Sequence, residues 1–233
     1  MLKQVSGERL HHELDLILAE EHAASMLARL AALEILPAIH PELAWVPGQS
    51  GDLPVGPDLQ NASGWNLPDE LAGLTPLQSL RYLIWLGPLP GDRLSVICQR
   101  LKLHGGLVKA LFEVNHLLRD LPTLPGMLVS QIARRLDKIS LLAIFAVYRI
   151  SSQAEERDRL RLYATSWRNL NPTIDGHSLE KRGLAPSPAY RLILNALRDA
   201  WLDGKVTSAE QERDYLDGLV AQYYPPAKPN GLQ

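Results

Sequence analysis

The sequence contains one cysteine, Cys98, and therefore cannot form a disulfide within the chain. It has no apolar run near the roughly 18 residues that cross a membrane. The longest run, Ile139–Val147, has the length of a buried helix. No cationic segment followed by an apolar stretch opens the sequence, so a secretory signal peptide is not expected. These absences predict a cytoplasmic protein without membrane contact, in which Cys98 is a buried helical residue.

Alternation of apolar and polar residues, which is typical of half-buried strands, is missing throughout the sequence. Apolar residues instead recur at helical spacing, and 46% of the 233 residues are hydrophobic, which is enough for a buried core. The predicted fold class is therefore all-α. Helix starts are indicated by three capping patterns, which are Thr75-Pro76, Ser152-x-x-Glu155 for a helix to about Leu170, and Thr207-x-x-Glu210 for the last helix.

Glycine and proline divide the chain into segments, since six of them fall between Pro47 and Pro57. Helical periodicity is absent from residues 45–68, which are predicted to form an irregular loop that is either functional or mobile. A pair of helices is predicted before this loop, over residues 1–44. Further helices are predicted over residues 69–150 and 151–224, followed by a flexible C-terminus at 225–233.

The net charge of −2 does not by itself indicate a nucleic-acid-binding protein, but the charges are unevenly distributed. Residues 1–118 contain 8 lysines and arginines against 13 acidic residues, whereas residues 119–200 contain 13 against 8. The basic segment also carries Tyr148, Tyr163, Trp167 and Tyr190. This combination predicts a positive surface that contacts phosphates. A solvated helix surface of mixed charge is the alternative that stays open.

Two sequence motifs stand near opposite ends of the chain. Residues 5–14 read VSGERLHHEL, and residues 171–179 and 183–188 read NPTIDGHSL and GLAPSP. Together with EILPAIHPEL at residues 34–43, they resemble the C-terminal two-thirds of bacterial tRNA nucleotidyltransferases and the related poly(A) polymerases. In that family the first motif opens the last segment of the nucleotide-handling core, and the later motifs lie in a tail that grips RNA. The resemblance extends from Leu2 to about Val220.

The resemblance implies an elongated multi-helix array composed of a neck (residues 1–44), a body (69–150) and a tail (151–224). It also implies a tRNA-binding module. The tail would grip the tRNA elbow, the body would span the acceptor stem, and the neck would present the 3′ end to a catalytic head. Scattered arginines and lysines suit this role, because double-stranded RNA is recognised by its shape and its phosphates.

The residues that catalyse nucleotide transfer in this family are absent from the sequence. In relatives an Asp-x-Asp pair after a Gly-Ser holds the divalent metals, and neither pattern occurs here. The Glu-Asp-x-x-Arg element that reads the incoming base is also missing. We therefore expect no catalytic residue, metal or cofactor in this chain, which would be inactive alone. Mg²⁺ and CTP or ATP would belong to a head that is a separate polypeptide or was lost by truncation. CCA addition and poly(A) tailing both stay open.

Most positions of the tail motif match the family, and the exceptions are Ser178 and Ser187, which replace an aspartate and a glycine. The matching positions are Gly176, Leu179, Gly183, Pro186 and Pro188. Ser187 precedes a predicted helix whose first amide groups are expected to bind an RNA phosphate. The candidate RNA-binding residues are motif positions of the tail and nearby cations, namely Arg134, Arg135, Lys138, Arg157, Arg161, Arg168, Lys181, Arg182, Gly183, Ser187, Tyr190 and Arg191.

Arg9 and Glu13 match the neck pattern of the family and lie one helical turn apart, a spacing that allows an ion pair. The resemblance implies that their helix braces the base-reading helix of the head. The alternative function is a protein-interaction module left after loss of the head. That alternative predicts an exposed apolar patch around residues 2–16, which would also favour a homodimer. A metal-dependent phosphohydrolase is not favoured, because the sequence has no His-Asp dipeptide.

Overall fold

The computed structural model describes residues 4–45, 53–60, 62 and 64–225 of the chain. Over these residues the regular structure is helical, with one isolated bridge between Leu71 and Leu74 and no longer strand, which confirms the predicted all-α class. None of these helices is long and apolar enough to cross a membrane. The chain forms two compact units. The first comprises residues 1–126 and 136–165, and the second comprises residues 127–135 and 166–233.

The helices follow one another with short connections along most of the described chain. In order they are α1 (Gly7–Ala19), α2 (Ala23–Ala32), α3 (Ile35–Ile39), α4 (Gly56–Gln60), α5 (Pro76–Leu86), α6 (Gly91–Arg100), α7 (Gly105–Asp120), α8 (Val129–Leu136), α9 (Leu141–Ile150), α10 (Ala154–Thr165), α11 (Gly176–Lys181), α12 (Ala189–Leu202) and α13 (Ala209–Tyr223). Short 3-10 helices at Leu121–Gly126 and Trp167–Asn169 follow α7 and α10.

The core of the first unit lies around α5 and α9. Helix α9 packs against α5, α7 and α10, and its residues 142–147 are all buried. The apolar run at residues 139–147 is therefore a buried helix, as predicted. Residues 79–86 of α5 are buried as well. Cys98 on α6 is also buried, which confirms that prediction, and burial raises the pKa of its thiol to about 11.

Helix α5 carries a buried cation that the sequence analysis missed. Arg81 is only 1% exposed. Its Nε donates to the carbonyl oxygen of Pro54 at 2.9 Å, and its Nη1 donates to those of Leu18 at 2.8 Å and Glu20 at 2.5 Å. Burial lowers the pKa of Arg81. Because Leu18 and Glu20 end α1, the guanidinium satisfies carbonyl groups at the negative end of that helix dipole.

The first capping pattern is confirmed, and the helices predicted from the other two differ in the structure. Thr75 caps α5 as predicted, and Gln78 completes a capping box with it. Helix α10 begins at Ala154 and ends at Thr165 rather than near Leu170, and ahead of it the Ser151 hydroxyl donates to the Glu156 carboxylate at 2.6 Å. Helix α13 is capped by Ser208, which accepts from the Gln211 amide at 3.2 Å, so Thr207 is not its cap.

The segment at residues 45–68 was predicted to be irregular, and it differs from that prediction at α4. Asp58 accepts from the Val55 amide at 2.9 Å, which caps the short helix, and pairs with Arg149 at 3.2 Å. Leu53 and Trp65 are buried, and the Trp65 ring centroid lies 4.9 Å from that of Phe145. Thus the described part of this segment packs on the first unit. Residues 46–52, 61 and 63 of the predicted loop lie outside the described residues, as do residues 226–233 of the predicted flexible C-terminus.

The second unit has a small core of its own, made by α11, α12 and α13. Leu179, Ile193, Leu197 and Leu216 are fully buried in it. Helix α8 is joined to the end of α12, because Asp203 accepts from both the amide and the hydroxyl of Ser130 at 2.9 Å. The boundaries of the predicted neck, body and tail remain predictions.

Candidate nucleic-acid interface

The tail motif forms a short helix and two turns in the second unit. Asp175 caps α11 by accepting from the amide of Ser178 at 2.8 Å and from its hydroxyl at 2.7 Å. These hydrogen bonds lower the pKa of Asp175. Ser178, where the family usually has aspartate, therefore completes a capping box with Asp175.

Gly183 ends α11 in a conformation that other residues rarely adopt. Its φ is 80°, and its amide donates to the Glu180 carbonyl at 2.8 Å. The left-handed region favours glycine because no Cβ is present to clash. The match of Gly183 to the family motif thus has a structural cause, namely the turn that leads the chain out of α11.

Two tyrosines hold the turn that follows. The Tyr190 hydroxyl donates to the carbonyl of Leu184 at 2.6 Å, and the Tyr224 hydroxyl donates to that of Ala185 at 2.8 Å. The hydroxyls of Tyr224 and Ser187 lie 2.7 Å apart. Burial raises the pKa of Tyr190, and the negative charges of Tyr224 and Glu180 raise it further. The polar groups of Tyr190 and Ser187, both predicted to bind RNA, are therefore used within the protein to shape the turn.

The start of α12, predicted to hold an RNA phosphate, is partly occupied by the chain itself. The amide of Ala189 donates to the Ser187 hydroxyl at 3.2 Å, and that of Tyr190 donates to the Ser187 carbonyl at 3.0 Å. Pro188 is the N-cap residue of α12 and no side chain caps the helix, so Ser187 holds the turn that comes just before it. Two of the first amide groups are no longer open to a phosphate.

The predicted cations of the second unit fall into paired and unpaired groups. Arg134 binds Asp199 through both ends of its guanidinium, with Nε 3.0 Å from Oδ1. Arg182 pairs with Asp217 at 2.5 Å. Arg168 is half-buried and Arg135 is exposed. Lys181 and Arg191 are exposed, and neither forms a hydrogen bond or ion pair with its side chain among the described residues.

The predicted cations of the first unit show the same division. Arg161 is exposed and pairs with Asp158 at 3.2 Å. Lys138 and Arg157 are exposed, without a side-chain partner among the described residues. Arg159, next to these positions on α10, is half-buried and donates to the Pro125 carbonyl at 2.9 Å. Only part of the basic cluster on α10 therefore faces outward.

Helix α1 carries the neck motif, but the ion pair that the spacing allowed does not form. Arg9 and Glu13 are both exposed and do not pair with each other among the described residues. Asp15 Oδ1 lies 3.2 Å from His11 Nε2 on α1, and Asp15 also accepts from the Tyr82 hydroxyl at 2.8 Å. Burial and then the Asp15 charge raise the pKa of Tyr82.

The glycine of the neck motif is required by a close backbone contact. A Cβ on Gly7 would lie 2.4 Å from the carbonyl oxygen of Arg100 and 2.7 Å from Cγ of Lys102. Arg100 also donates to the carbonyl oxygens of Val5 at 3.1 Å and Ile39 at 3.2 Å. The start of α1 is therefore fixed directly on the end of α6, with no space for a side chain.

Sequence reasoning missed the acidic and aromatic residues of α13 that hold the tail motif. Glu212 accepts from the Thr173 and Ile174 amides, Asp217 pairs with Arg182, and Tyr224 contacts the turn after α11. In the sequence these residues appear only as part of a capped helix of mixed charge, and that pattern does not indicate contact with the tail motif. No group of three or more His, Cys, Asp or Glu side chains able to hold a metal is found among the described residues.

Comparison with known proteins identifies a family model over the start of the chain. The family described as "probable RNA and SrmB-binding site of polymerase A" matches residues 1–46. This range contains the neck motif and the phrase at residues 34–43.

A curated relative and solved structures extend the similarity beyond this range. The A-adding tRNA nucleotidyltransferase of Geobacter sulfurreducens is 25% identical over 219 residues, which are 91% of this chain and 24% of that protein. The Thermotoga maritima CCA-adding enzyme complexed with tRNA-CCA matches with a TM-score of 0.67 and 18% identity, over 95% of this chain and 53% of that one. A CCA-adding enzyme in complex with ATP matches with a TM-score of 0.66 and 18% identity, over 95% and 52%.

These findings confirm the resemblance that the sequence motifs indicated. The chain has the helical fold of CCA-adding enzymes and is similar to the tRNA nucleotidyltransferase and poly(A) polymerase family over most of its length. It spans about a quarter of the curated relative and about half of the solved structures.

Proposed function

We propose that the chain is a tRNA-binding module of the nucleotidyltransferase type, which positions the 3′ end of tRNA for nucleotide addition by a catalytic head. The observation that carries this proposal is the match of 95% of the chain to the fold of an enzyme whose structure was solved with tRNA. The family model that matches residues 1–46 supports the proposal independently, because its description names a probable RNA-binding site.

The distribution of charge in the second unit is consistent with RNA binding. Lys181 lies between the two parts of the tail motif, Arg191 follows its end, and neither has an acidic partner among the described residues. An exposed cation that is not neutralised within the protein can replace the counterions of an RNA phosphate, and this gives affinity without sequence specificity. We therefore assign RNA contact to Lys181 and Arg191 rather than to Arg134 and Arg182. The charges of those two arginines are already balanced by Asp199 and Asp217.

The proposed binding mode is recognition of shape. A-form RNA exposes phosphates and 2′-hydroxyl groups along a shallow minor groove, and proteins bind it mainly through these groups. Each unit has exposed cations of its own that suit contacts with RNA phosphates, namely Lys138 and Arg157 in the first and Lys181 and Arg191 in the second. Nucleotide addition, with its Mg²⁺ and CTP or ATP, is proposed for the part of these enzymes that the chain does not cover.

Binding of the full chain to deacylated tRNA that lacks its 3′ CCA tests this function. The expected result is a preference for tRNA over a DNA duplex of equal length by about tenfold or more, with an affinity that falls steeply as salt rises. Fluorescence anisotropy with labelled tRNA and unlabelled competitors measures both quantities. Equal affinity for the two nucleic acids at low salt, or no binding to either, would contradict the proposal.

A second function is favoured by the surface of the first two helices. Leu16 on α1 is 52% exposed, and Met26 and Leu33 on and after α2 are also exposed, within the range matched by a family whose description names a protein partner as well as RNA. Exposed apolar side chains are typical of protein contacts where they form one contiguous patch. This alternative, a protein-interaction module or homodimer, predicts self-association or partner binding without tRNA preference. Sedimentation equilibrium of the chain beside a Leu16→Glu variant distinguishes it from the first function.

A further inference from the structure

A buried carboxylate lies beneath the tail motif. Glu212, in the first turn of α13, is 0% exposed. Its Oε2 accepts from the Thr173 amide at 3.2 Å and from the Thr173 hydroxyl, and its Oε1 accepts from the Ile174 amide at 3.1 Å. No lysine or arginine pairs with Glu212 among the described residues. Its charge is therefore balanced by hydrogen-bond donors of the segment that leads into α11.

This arrangement couples the position of the segment to the carboxylate. Removing a carboxylate from water is unfavourable unless its oxygens receive hydrogen bonds. The positive end of the α13 dipole stabilises the charge further, because Glu212 lies near the start of that helix. Thr173 and Ile174 can therefore move away from Glu212 only by leaving a buried charge without donors, which fixes their backbone.

Two more side chains contact the same segment further along, Asp217 on α13 and Tyr224 at the C-cap of that helix. Asp217 pairs with Arg182 at the end of α11, and the Tyr224 hydroxyl contacts the Ala185 carbonyl and the Ser187 hydroxyl. The three contacts reach the start, the middle and the end of residues 173–187. One helix therefore sets the course of the whole segment that leads to Lys181 and then to α12, where Arg191 lies.

We infer that α13 is the positioning element of the RNA-binding segment at residues 173–187, and that Glu212 is its principal positioning residue. The inference rests on the proposed function, since it assigns a role in holding the segment that contacts RNA. Glu212 itself is buried and touches no RNA. It acts by fixing Thr173 and Ile174, and through them the direction of α11 and the place of Lys181.

The Glu212→Gln variant tests this role, because it keeps the shape of the side chain and changes only its hydrogen bonding. Both oxygens of Glu212 accept from backbone amides, so a glutamine in either orientation directs an NH₂ group at a donor. The expected result is faster hydrogen exchange of the Thr173 and Ile174 amides and about tenfold weaker tRNA binding. The amides of Ile193 and Leu216 in the core should stay protected. Exchange is measured by NMR and affinity by anisotropy.

The matched control is Glu210→Gln, which removes the same charge from an exposed position in the same turn of α13. It should leave both the exchange of Thr173 and Ile174 and the tRNA affinity close to those of the unmodified chain. If Glu212→Gln releases these amides while its tRNA affinity equals that of Glu210→Gln, the inference is overturned.

A second variant covers the case in which Glu212→Gln unfolds the second unit. Thr173→Val removes only the hydroxyl donor and keeps the amide bond to Glu212. It should weaken tRNA binding by about threefold with the core intact, and unchanged affinity would overturn the inference. Failure of the proposed function looks different, since the unmodified chain would then show no preference for tRNA.

Discussion

Replacing Arg81 with methionine is expected to lower the free energy of unfolding of the first unit by about 3 kcal/mol or more. The guanidinium is fully buried and donates three hydrogen bonds to backbone carbonyls, and within the described part of the chain no carboxylate is among its partners. Methionine fills a similar volume but leaves these carbonyl groups without donors. Two of the carbonyls end α1, so the attachment of the neck motif to α5 should weaken first. Urea denaturation followed by circular dichroism measures the change.

The matched control for this prediction is Arg93→Met, also in the first unit. Arg93 is more than half exposed and pairs with Glu42 at 3.0 Å. Since exposed ion pairs contribute roughly 0–1 kcal/mol, this variant should be almost as stable as the unmodified chain. Equal stabilities of the two methionine variants would show that the buried hydrogen bonds of Arg81 contribute little, contrary to this account.

Replacing Gly7 with alanine is expected to cost about 2–3 kcal/mol, although the change adds a single methyl group. The added Cβ would lie 2.4 Å from the Arg100 carbonyl oxygen, which is too close for any real contact. Neither backbone can move apart freely, because Arg100 is bonded to the carbonyls of both Val5 and Ile39. The glycine of the neck motif thus has a packing cause that needs no contact with nucleotide or RNA. Thermal and urea unfolding of the variant measure the loss.

Gly218→Ala provides the opposite expectation with the same chemical change. Gly218 lies inside α13, is exposed, and has open space where a Cβ would be. Alanine is more favourable than glycine in a helix by about 0.8–1 kcal/mol, so this variant should gain stability. If both alanine variants changed the free energy of unfolding by the same amount and sign, the close contact with Arg100 would not explain why position 7 is a glycine.

The helical class and many helix positions could be predicted from the sequence, because local spacing and caps determine them. The buried run at residues 139–147 became α9, and Thr75 caps α5 as predicted. The cap of α13 was displaced by one residue, where two hydroxyl residues are adjacent at Thr207-Ser208. Local pattern cannot choose between such neighbours. The choice depends on the packing of each helix as a whole.

The end of α10 was predicted too late for a similar reason. No glycine or proline lies between Thr165 and Leu170, so the sequence shows no stop signal there. The chain nevertheless leaves the helix and forms a 3-10 helix at Trp167–Asn169. This end coincides with the boundary between the two compact units. The end of α10 therefore depends on tertiary structure, and the residues next to it in the sequence do not predict it.

The motif indicated the candidate site, but the sequence could not predict which of its cations form ion pairs within the protein. Arg134 and Arg182 find their partners Asp199 and Asp217 far along the chain, on other helices. Glu212 reaches Thr173 across a similar separation. Spacing rules describe only neighbours within a helix, and they favoured an Arg9–Glu13 pair that does not form. Of the cations predicted from the sequence, we therefore retain as candidates for RNA contact those without an acidic partner in the structure.

The central claim, that the unpaired cations Lys181 and Arg191 beside the tail motif bind RNA phosphates, is tested most directly by the salt dependence of tRNA affinity. The measurement compares the full chain with a Lys181→Ala/Arg191→Ala double variant and with a Lys205→Ala/Arg213→Ala control. The control removes the same two residue types from exposed positions outside the candidate surface. Anisotropy titrations across a range of salt concentrations give the slope of log affinity against log salt for each protein.

The account predicts that the Lys181/Arg191 variant loses about 1–2 units of this slope and about tenfold in affinity at ~0.1 M salt. The control variant should stay within about twofold of the unmodified chain, because long-range charge is screened at that salt concentration. Identical slopes and affinities for the two double variants, or tRNA binding by the full chain that does not respond to salt, would contradict the central claim.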